Sequence, residues 1–182
     1  LLNRIVFIKT TKGEYVLKIA LANSTTLHYE LGLLNHIHMR TALRVLLTRE
    51  KRLFMPYGTY KAFLSHRISG KHPKQISPKM LLGVGTFLGE FHNRAKDFHA
   101  TAERDQILST SRASIKKVLG RALWARTRPA REAAHYISAT IWKYPLSNQL
   151  PQGPIHVDVK PETSLFLGEK LMGVVDFDNA YR

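Results

Sequence analysis

The chain opens on a pattern of period two. Ile5-Val6-Phe7-Ile8 is a short apolar run, Thr11-Lys12-Gly13 supplies turn residues, and Tyr15-Val16-Leu17-Lys18-Ile19 alternates, so a β-hairpin is predicted. Tyr15, Leu17 and Ile19 share one strand face, and Lys18 shares the other with Val16 and Ala20. Asn23-Ser24-Thr25-Thr26 then offers N-cap residues to a helix whose Leu27, Leu31 and Leu34 recur at helical spacing and which contains Glu30. Short strands are predicted around residues 43–47, 53–55 and 62–64, and Ser69-Gly70-Lys71-His72-Pro73 reads as a linker. Ser77-Pro78 suits a helix start, with Leu81, Val84, Leu88 and Phe91 as its apolar stripe. Gly83, Gly85 and Gly89 inside that helix have the wrong spacing and context for a dinucleotide-binding loop, and close helix packing is the expected reason for them. A basic helix around 114–124 follows, with Ile115, Val118 and Leu119 as its buried edge. Another around 131–144 aligns Ala134, Ile137 and Ile141. In the last third, Ser164–Leu167 and residues 171–175 are predicted strands around a Gly168-Glu169-Lys170 turn. The order is strands with one helix, then helices, then a small β region, which is an α+β pattern.

Composition narrows the possibilities. Of 182 residues, 44% are hydrophobic, enough for a core and against wholesale disorder. With no cysteine there is no disulfide scaffold, thiolate metal site or thiol nucleophile. No apolar run reaches the roughly 20 residues of a membrane helix. The opening Leu1-Leu2-Asn3-Arg4 does not resemble a signal peptide and lacks Met, so the expectation is a cytoplasmic chain that begins inside a longer gene product. The four methionines are scattered and read as gap fillers of the core. A formal charge of +15 favours anionic partners without naming one. Arg112, Lys116, Lys117, Arg121, Arg126, Arg128 and Arg131 concentrate that charge. Nucleic acid is a conceivable partner for them, disfavoured because no recognition motif and little aromatic interleaving accompany the cations.

Chemistry concentrates near the C-terminus. Asp158 follows a short apolar stretch in Ile155-His156-Val157-Asp158-Val159, and Asp176 ends another in Val174-Val175-Asp176-Phe177-Asp178. A two-strand excursion between them can return the chain beside its start and bring two carboxylates together. Phosphoryl transfer needs such a pair: one acid handles the attacking hydroxyl, the other holds Mg²⁺ against the nucleotide phosphates.

These residues resemble a known family. His156-Val157-Asp158 with Lys160-Pro161-Glu162 is similar to the catalytic loop of the protein-kinase-like superfamily, and Asp176-Phe177-Asp178 to its metal-binding segment. Val16-Leu17-Lys18 resembles the strand that carries the phosphate-contacting lysine, and Glu30 occupies the place of the helix glutamate that pairs with it. No G-x-G-x-x-G loop lies between Asn3 and Lys18, as it does in protein kinases. The phrases around Leu27–His36, Leu88-Gly89-Glu90-Phe91-His92 and Leu150-Pro151-Gln152-Gly153-Pro154-Ile155-His156 resemble the homoserine kinase and aminoglycoside phosphotransferase family instead.

The resemblance implies a two-lobed kinase-like fold: an N-terminal nucleotide-binding lobe over 1–64, a hinge over 65–76, and a mainly helical catalytic lobe over 77–182. It implies ATP and Mg²⁺ as cofactors and a small hydroxyl-bearing substrate, homoserine or an amino-alcohol or aminoglycoside-like compound. Asp158 would be catalytic with His156 bracing its loop. Lys18, Glu30 and Lys160 would serve the nucleotide, and Asp176, Thr163 and Asp178 the metal. Three departures stand out. Thr163 occupies the position of the family's metal-binding asparagine, with the Ser164 hydroxyl next to it. Val157 replaces a small residue, and its bulk is expected to tighten packing. The chain ends at Arg182, where family members continue with helices, so the catalytic lobe is expected to be incomplete. A pseudokinase or truncated nucleotide-binding relative, a protein kinase and a basic nucleic-acid-binding protein are the alternatives.

Overall fold

The computed structural model describes residues 3–21, 23–100, 112–140, 143 and 153–181. The chain divides into two compact units, one of Leu1–Asp105 with Gly153–Arg182 and one of Gln106–Gln152.

In the first unit, β1 (Asn3–Thr10) and β2 (Gly13–Ala20) form the predicted hairpin. The Thr10 hydroxyl donates to Gly13 O at 3.1 Å and accepts from Lys12 N at 3.1 Å, closing the turn at a glycine with φ of 144°. β3 (Val45–Leu46), β4 (Met55–Tyr57) and β5 (Tyr60–His66) complete an antiparallel sheet of order β1-β2-β5-β3, with β4 also on β5. The strands sit within a few residues of the predicted ones. β5 runs two residues beyond its prediction at each end, and it pairs with three neighbours. The register sets Lys18 opposite Phe63 on β5 and Ile5 on β1.

Helix α1 (Ser24–Ile37) starts at Asn23, whose side chain accepts from Thr26 N at 2.6 Å. Its Leu27, Leu31, Leu34 and Ile37 are fully buried, and so is Glu30. Helix α2 (Pro78–Ala95) starts at Ser77 as expected, with the Ser77 hydroxyl accepting from Met80 N. Its buried stripe is Phe87, Phe91 and Ala95. Phe91 packs against Phe87 and edge-on against Phe177, so α1, α2 and the C-terminal segment share one core. Burying each such side chain contributes about 1.5–3 kcal/mol.

Strands β6 (Ser164–Leu167) and β7 (Lys170–Val174) form the second predicted hairpin, turning at Gly168 with φ of 58°. Two attachments hold it, and a further pair of bonds joins the segments that flank it. Val174 N donates to Thr41 O at 2.8 Å. Lys71 and Phe166 exchange two backbone bonds of 2.9 Å each. Ile155 and Tyr181 exchange another pair. Gly70 precedes the Lys71 bridge with φ of 138°, and a side chain there would come within 3.1 Å of the Phe166 backbone.

The second unit contains α3 (Arg112–Leu123) and α4 (Arg128–Thr140), which pack on each other with Ala134 buried. Two of its cations have local uses. Arg128 pairs with Glu132 at 2.6 Å, and Arg131 donates to the Ala125 and Arg126 carbonyls beside the bend between the helices.

Several expectations require correction. Leu81 is 60% exposed, because the stripe of α2 begins a turn later than its leucines suggest. Gly83 does pack closely, a built Cβ meeting Leu171 at 3.4 Å, but Gly85 and Gly89 have nothing within 4 Å. Val118 and Ile137 are exposed, not on buried edges, and Met55 is exposed on the short β4. Ile141 and Tyr144 lie outside the described residues. Among the described residues no helix is long and apolar enough to cross a membrane.

The glycines make a paired prediction. Ala at position 173 would place Cβ 2.7 Å from Ile68 Cδ1 and 3.1 Å from Thr41 O, the carbonyl that anchors β7. Gly173→Ala is therefore expected to lower stability by about 1–3 kcal/mol in urea denaturation. Gly85→Ala, on an open helix face, is expected to raise it by about 0.5–1 kcal/mol.

Candidate active site

A lysine in an alternating strand is usually solvated, yet the Lys18 side chain is only 11% exposed. It projects from the inward face of β2 toward Glu30 of α1, which is 2% exposed, and toward the two acids that follow β7. Its Nζ lies 3.8 Å from Glu30 Oε1, 3.6 Å from Asp176 Oδ1 and 3.9 Å from Asp178 Oδ2. A charge removed from water is tolerated when opposite charges surround it, and here three carboxylates do so. One ammonium and three carboxylates leave the cluster at a formal −2. The two aspartates are its open side, with the Asp176 carboxylate 46% exposed. Asp176 takes a left-handed φ of 69° at the mouth of a short 3-10 turn, Phe177–Asn179, which turns Asp178 back toward Lys18.

The second group lies on residues 155–163. His156 is buried, with its ring 4.3 Å from that of Phe177 and its Nε2 bonded to Val175 O at 3.1 Å. That bond makes Nε2 the protonated nitrogen of a neutral ring. Burial pushes the His156 pKa down, against the Val175 bond and the charges of Asp176 and Asp158. His156 is therefore a brace between the two acidic segments. Val175 N donates in turn to Thr163 O at 2.8 Å, a second tie between them.

Asp158 Oδ2 accepts from Lys160 Nζ at 2.7 Å, and this bond holds the lysine's pKa up. Both side chains are partly exposed, so the pair is accessible to a ligand. Val157 differs from expectation. It does not tighten packing: it is 40% exposed and adopts φ of 73°, a left-handed conformation that disfavours β-branched residues. The family's small residue would suit this backbone better. Thr163 is buried, its hydroxyl bonded within the loop to the backbone of Asp158 and Lys160. Ser164 is buried also and donates to Lys160 O at 2.9 Å.

A cavity of about 740 Å³ adjoins the lysine cluster, a volume in the usual range for a small-molecule ligand. Lys18, Asp176 and Glu162 are among its charged lining residues, and Val16, Phe63 and Ile68 among its apolar ones. Ile5 and Phe7 of β1 overhang it, where a glycine-rich loop is absent from the sequence. The Arg67 guanidinium lies over the Phe7 ring, 5.2 Å from its centroid, and both residues line the cavity. Phe7 and Phe177 were not singled out from the sequence. Alternation in β1 and the apolar position between two aspartates are the signals that mark them. The predicted residues form two groups: Glu30, Asp176 and Asp178 around Lys18, of which Lys18 and Asp176 line the cavity, and Asp158 with Lys160 on the loop at residues 155–163, outside the lining.

The acids suit a hard divalent cation. Among the described residues no group of three or more His, Cys, Asp or Glu side chains forms a self-sufficient metal site. Mg²⁺ does not need one, because it takes one or two carboxylates and completes its shell with phosphate oxygens and water. Asp176 and Asp178 present that donor set beside the cavity.

Known proteins resemble this chain in sequence and in fold. The profile of the phosphotransferase enzyme family matches residues 1–182. The homoserine kinase of Bradyrhizobium sp. strain BTAi1 is 26% identical over 174 residues, covering 92% of this chain and 52% of its own. That of Rhodopseudomonas palustris strain BisB18 is 25% identical over 176 residues, with 92% and 52% covered. The chain thus spans about half the length of the curated relatives it matches. In fold it is similar to the aminoglycoside phosphotransferase of Alicyclobacillus acidocaldarius, with a TM-score of 0.70 at 15% identity over 97% of this chain and 60% of that one. An amicoumacin kinase in complex with AMP-PNP, Ca²⁺ and its antibiotic gives 0.71 at 12% identity, over 98% and 57%. The fold is α+β and kinase-like.

His156 makes the site sensitive to acid. A histidine whose folded pKa lies below its unfolded value of about 6.5 contributes fully above that pH, and the contribution is lost as pH falls through the folded value. Urea midpoints measured from about pH 7.5 down to about pH 5 are expected to fall. His156→Gln, which does not titrate, is expected to start lower by about 1–3 kcal/mol and to flatten that dependence.

Proposed function

The chain belongs to the phosphotransferase enzyme family, and from that premise we propose that it transfers the γ-phosphoryl group of ATP, with Mg²⁺, to a hydroxyl of a small molecule. Homoserine is the first acceptor to consider, because the relatives named above are homoserine kinases. The observation that carries the proposal is the convergence of Glu30, Asp176 and Asp178 on Lys18, which with Asp176 lines one cavity.

In this reading the apolar walls at Val16, Phe63 and Ile68 take the base, against a hinge that begins in β5. Lys18, held between acids rather than in solvent, contacts the phosphates. Glu30 fixes its position from the core. Asp176 and Asp178 hold Mg²⁺, which neutralises phosphate charge. Asp158 orients the acceptor hydroxyl and takes its proton as the oxygen bonds to the γ-phosphorus. The bond from that phosphorus to the bridging oxygen breaks, and ADP leaves. Lys160, already bonded to Asp158, is placed to meet the transferred group. Positioning and charge neutralisation carry such a reaction.

A second reading, a nucleotide-binding protein without turnover, is favoured by one observation: a threonine with its hydroxyl engaged in the loop stands where the family has asparagine.

Mg²⁺-dependent ADP release, measured with homoserine and a panel of small alcohols, separates the two. Acceptor-stimulated release is expected from the wild type, reduced about 10²- to 10⁴-fold in Asp158→Asn. Lys18→Met is expected to weaken binding of a fluorescent ATP analogue by about tenfold or more. Analogue binding with no stimulated release for any acceptor would sink turnover and leave the second reading.

A further inference from the structure

The Thr163 hydroxyl has its proton and one of its two lone pairs engaged by backbone. Its Oγ1 lies 2.8 Å from Asp158 O, 3.0 Å from Lys160 N and 3.1 Å from Lys160 O. A hydroxyl has one proton and two lone pairs. The shortest contact places the proton on Asp158 O, and the Lys160 N–H occupies a lone pair. The backbone is engaged as well: Thr163 N donates to Lys160 O, and Thr163 O accepts from Val175 N. The residue is 2% exposed.

The loop that this hydroxyl closes is under strain at Val157, whose φ of 73° persists only where neighbours hold it. Two buried contacts do so. The His156 ring bonds Val175 O before the strained residue, and the Thr163 hydroxyl bonds Asp158 O after it.

We propose that Thr163 is a positioning residue: its buried hydroxyl pins the Asp158 carbonyl and thereby sets the aim of the Asp158 carboxylate, and it takes no part in binding the divalent cation. The cation then rests on Asp176 and Asp178. For Thr163 to ligate, a cation would have to reach the one remaining lone pair of a neutral oxygen on a residue 2% exposed, whereas the aspartates offer charged, partly exposed oxygens. The pin exists in the free protein, but its consequence for transfer rests on the phosphotransferase reading.

The experiment has one arm for each half. Amide hydrogen exchange on the free chain reads the pin through the Lys160 N–H. Protection is expected in the wild type, a loss of about tenfold or more in Thr163→Val, and recovery in Thr163→Ser. Unprotected exchange at Lys160 in the wild type would overturn the pin without any variant, even if the valine variant did not fold. Mn²⁺ binding, followed by electron paramagnetic resonance with a non-hydrolysable ATP analogue, reads the metal. Thr163→Val is expected to stay within about twofold of wild type, and Asp178→Asn to bind about tenfold more weakly. Turnover is expected to fall about tenfold in the valine variant with nucleotide KM little changed, and to be rescued by serine. A tenfold loss of Mn²⁺ affinity in Thr163→Val would overturn the proposal. No binding of nucleotide or Mn²⁺ by the wild type would overturn the phosphotransferase reading and the metal half with it, while the exchange result would still decide the pin.

Discussion

A buried ammonium is the constraint around which this molecule is organised. Lys18 sits on a strand, Glu30 on a helix, and Asp176 and Asp178 on a turn after the second hairpin. None of these can keep its position unless the sheet, α1 and the C-terminal segment meet, and they meet through the core of Leu27, Leu31, Phe91, Val174 and Phe177. Glu30 would be costly alone in that core, and Lys18 costly beneath the sheet. Their mutual neutralisation couples packing to chemistry, and the excess negative charge faces the cavity.

The acidic segments are made of backbone that does not relax easily. Val157 and Asp176 both occupy the left-handed region. The ties between them, from His156 to Val175 and from Val175 to Thr163, cross from one segment to the other. Neither loop is held by its own residues alone. Val175 is bonded to the other segment twice, through its carbonyl to His156 and through its amide to Thr163, and the Ile155–Tyr181 pair joins the segments again.

Much of this was legible in the sequence because local rules acted alone. Both hairpins, the N-cap at Asn23 and the Ser77-Pro78 start follow from turn and cap chemistry within a few residues. The order of Lys18, Glu30, Asp158 and Asp176 suggested a shared site, and the structure gathers all but Asp158 at one point. What failed was decided at longer range. Leu81 and Val118 fit helical stripes, but whether a stripe is covered depends on neighbours that periodicity does not reveal. Val157 was read by its bulk, when its backbone angle is the property that matters. The engagement of the Thr163 hydroxyl was invisible because its partners are carbonyl and amide groups, which every residue has.

The two backbone hydrogen bonds between Lys71 and Phe166 make the linker a short third strand on the β6–β7 hairpin. A two-stranded hairpin alone is marginal in water, so this stub shares in holding it together. It also fixes where movement is possible. β5 is registered to its neighbours through His66, and Arg67 N donates to Glu14 O at 3.0 Å. Only Ile68, Ser69 and Gly70 lie between that attachment and the stub. Along the chain, pivoting of the sheet over the hairpin falls to these three residues, of which Ile68 and Gly70 line the cavity, and the Val174–Thr41 bond restrains it. The cavity's width and the torsions of that short span are one mechanical variable.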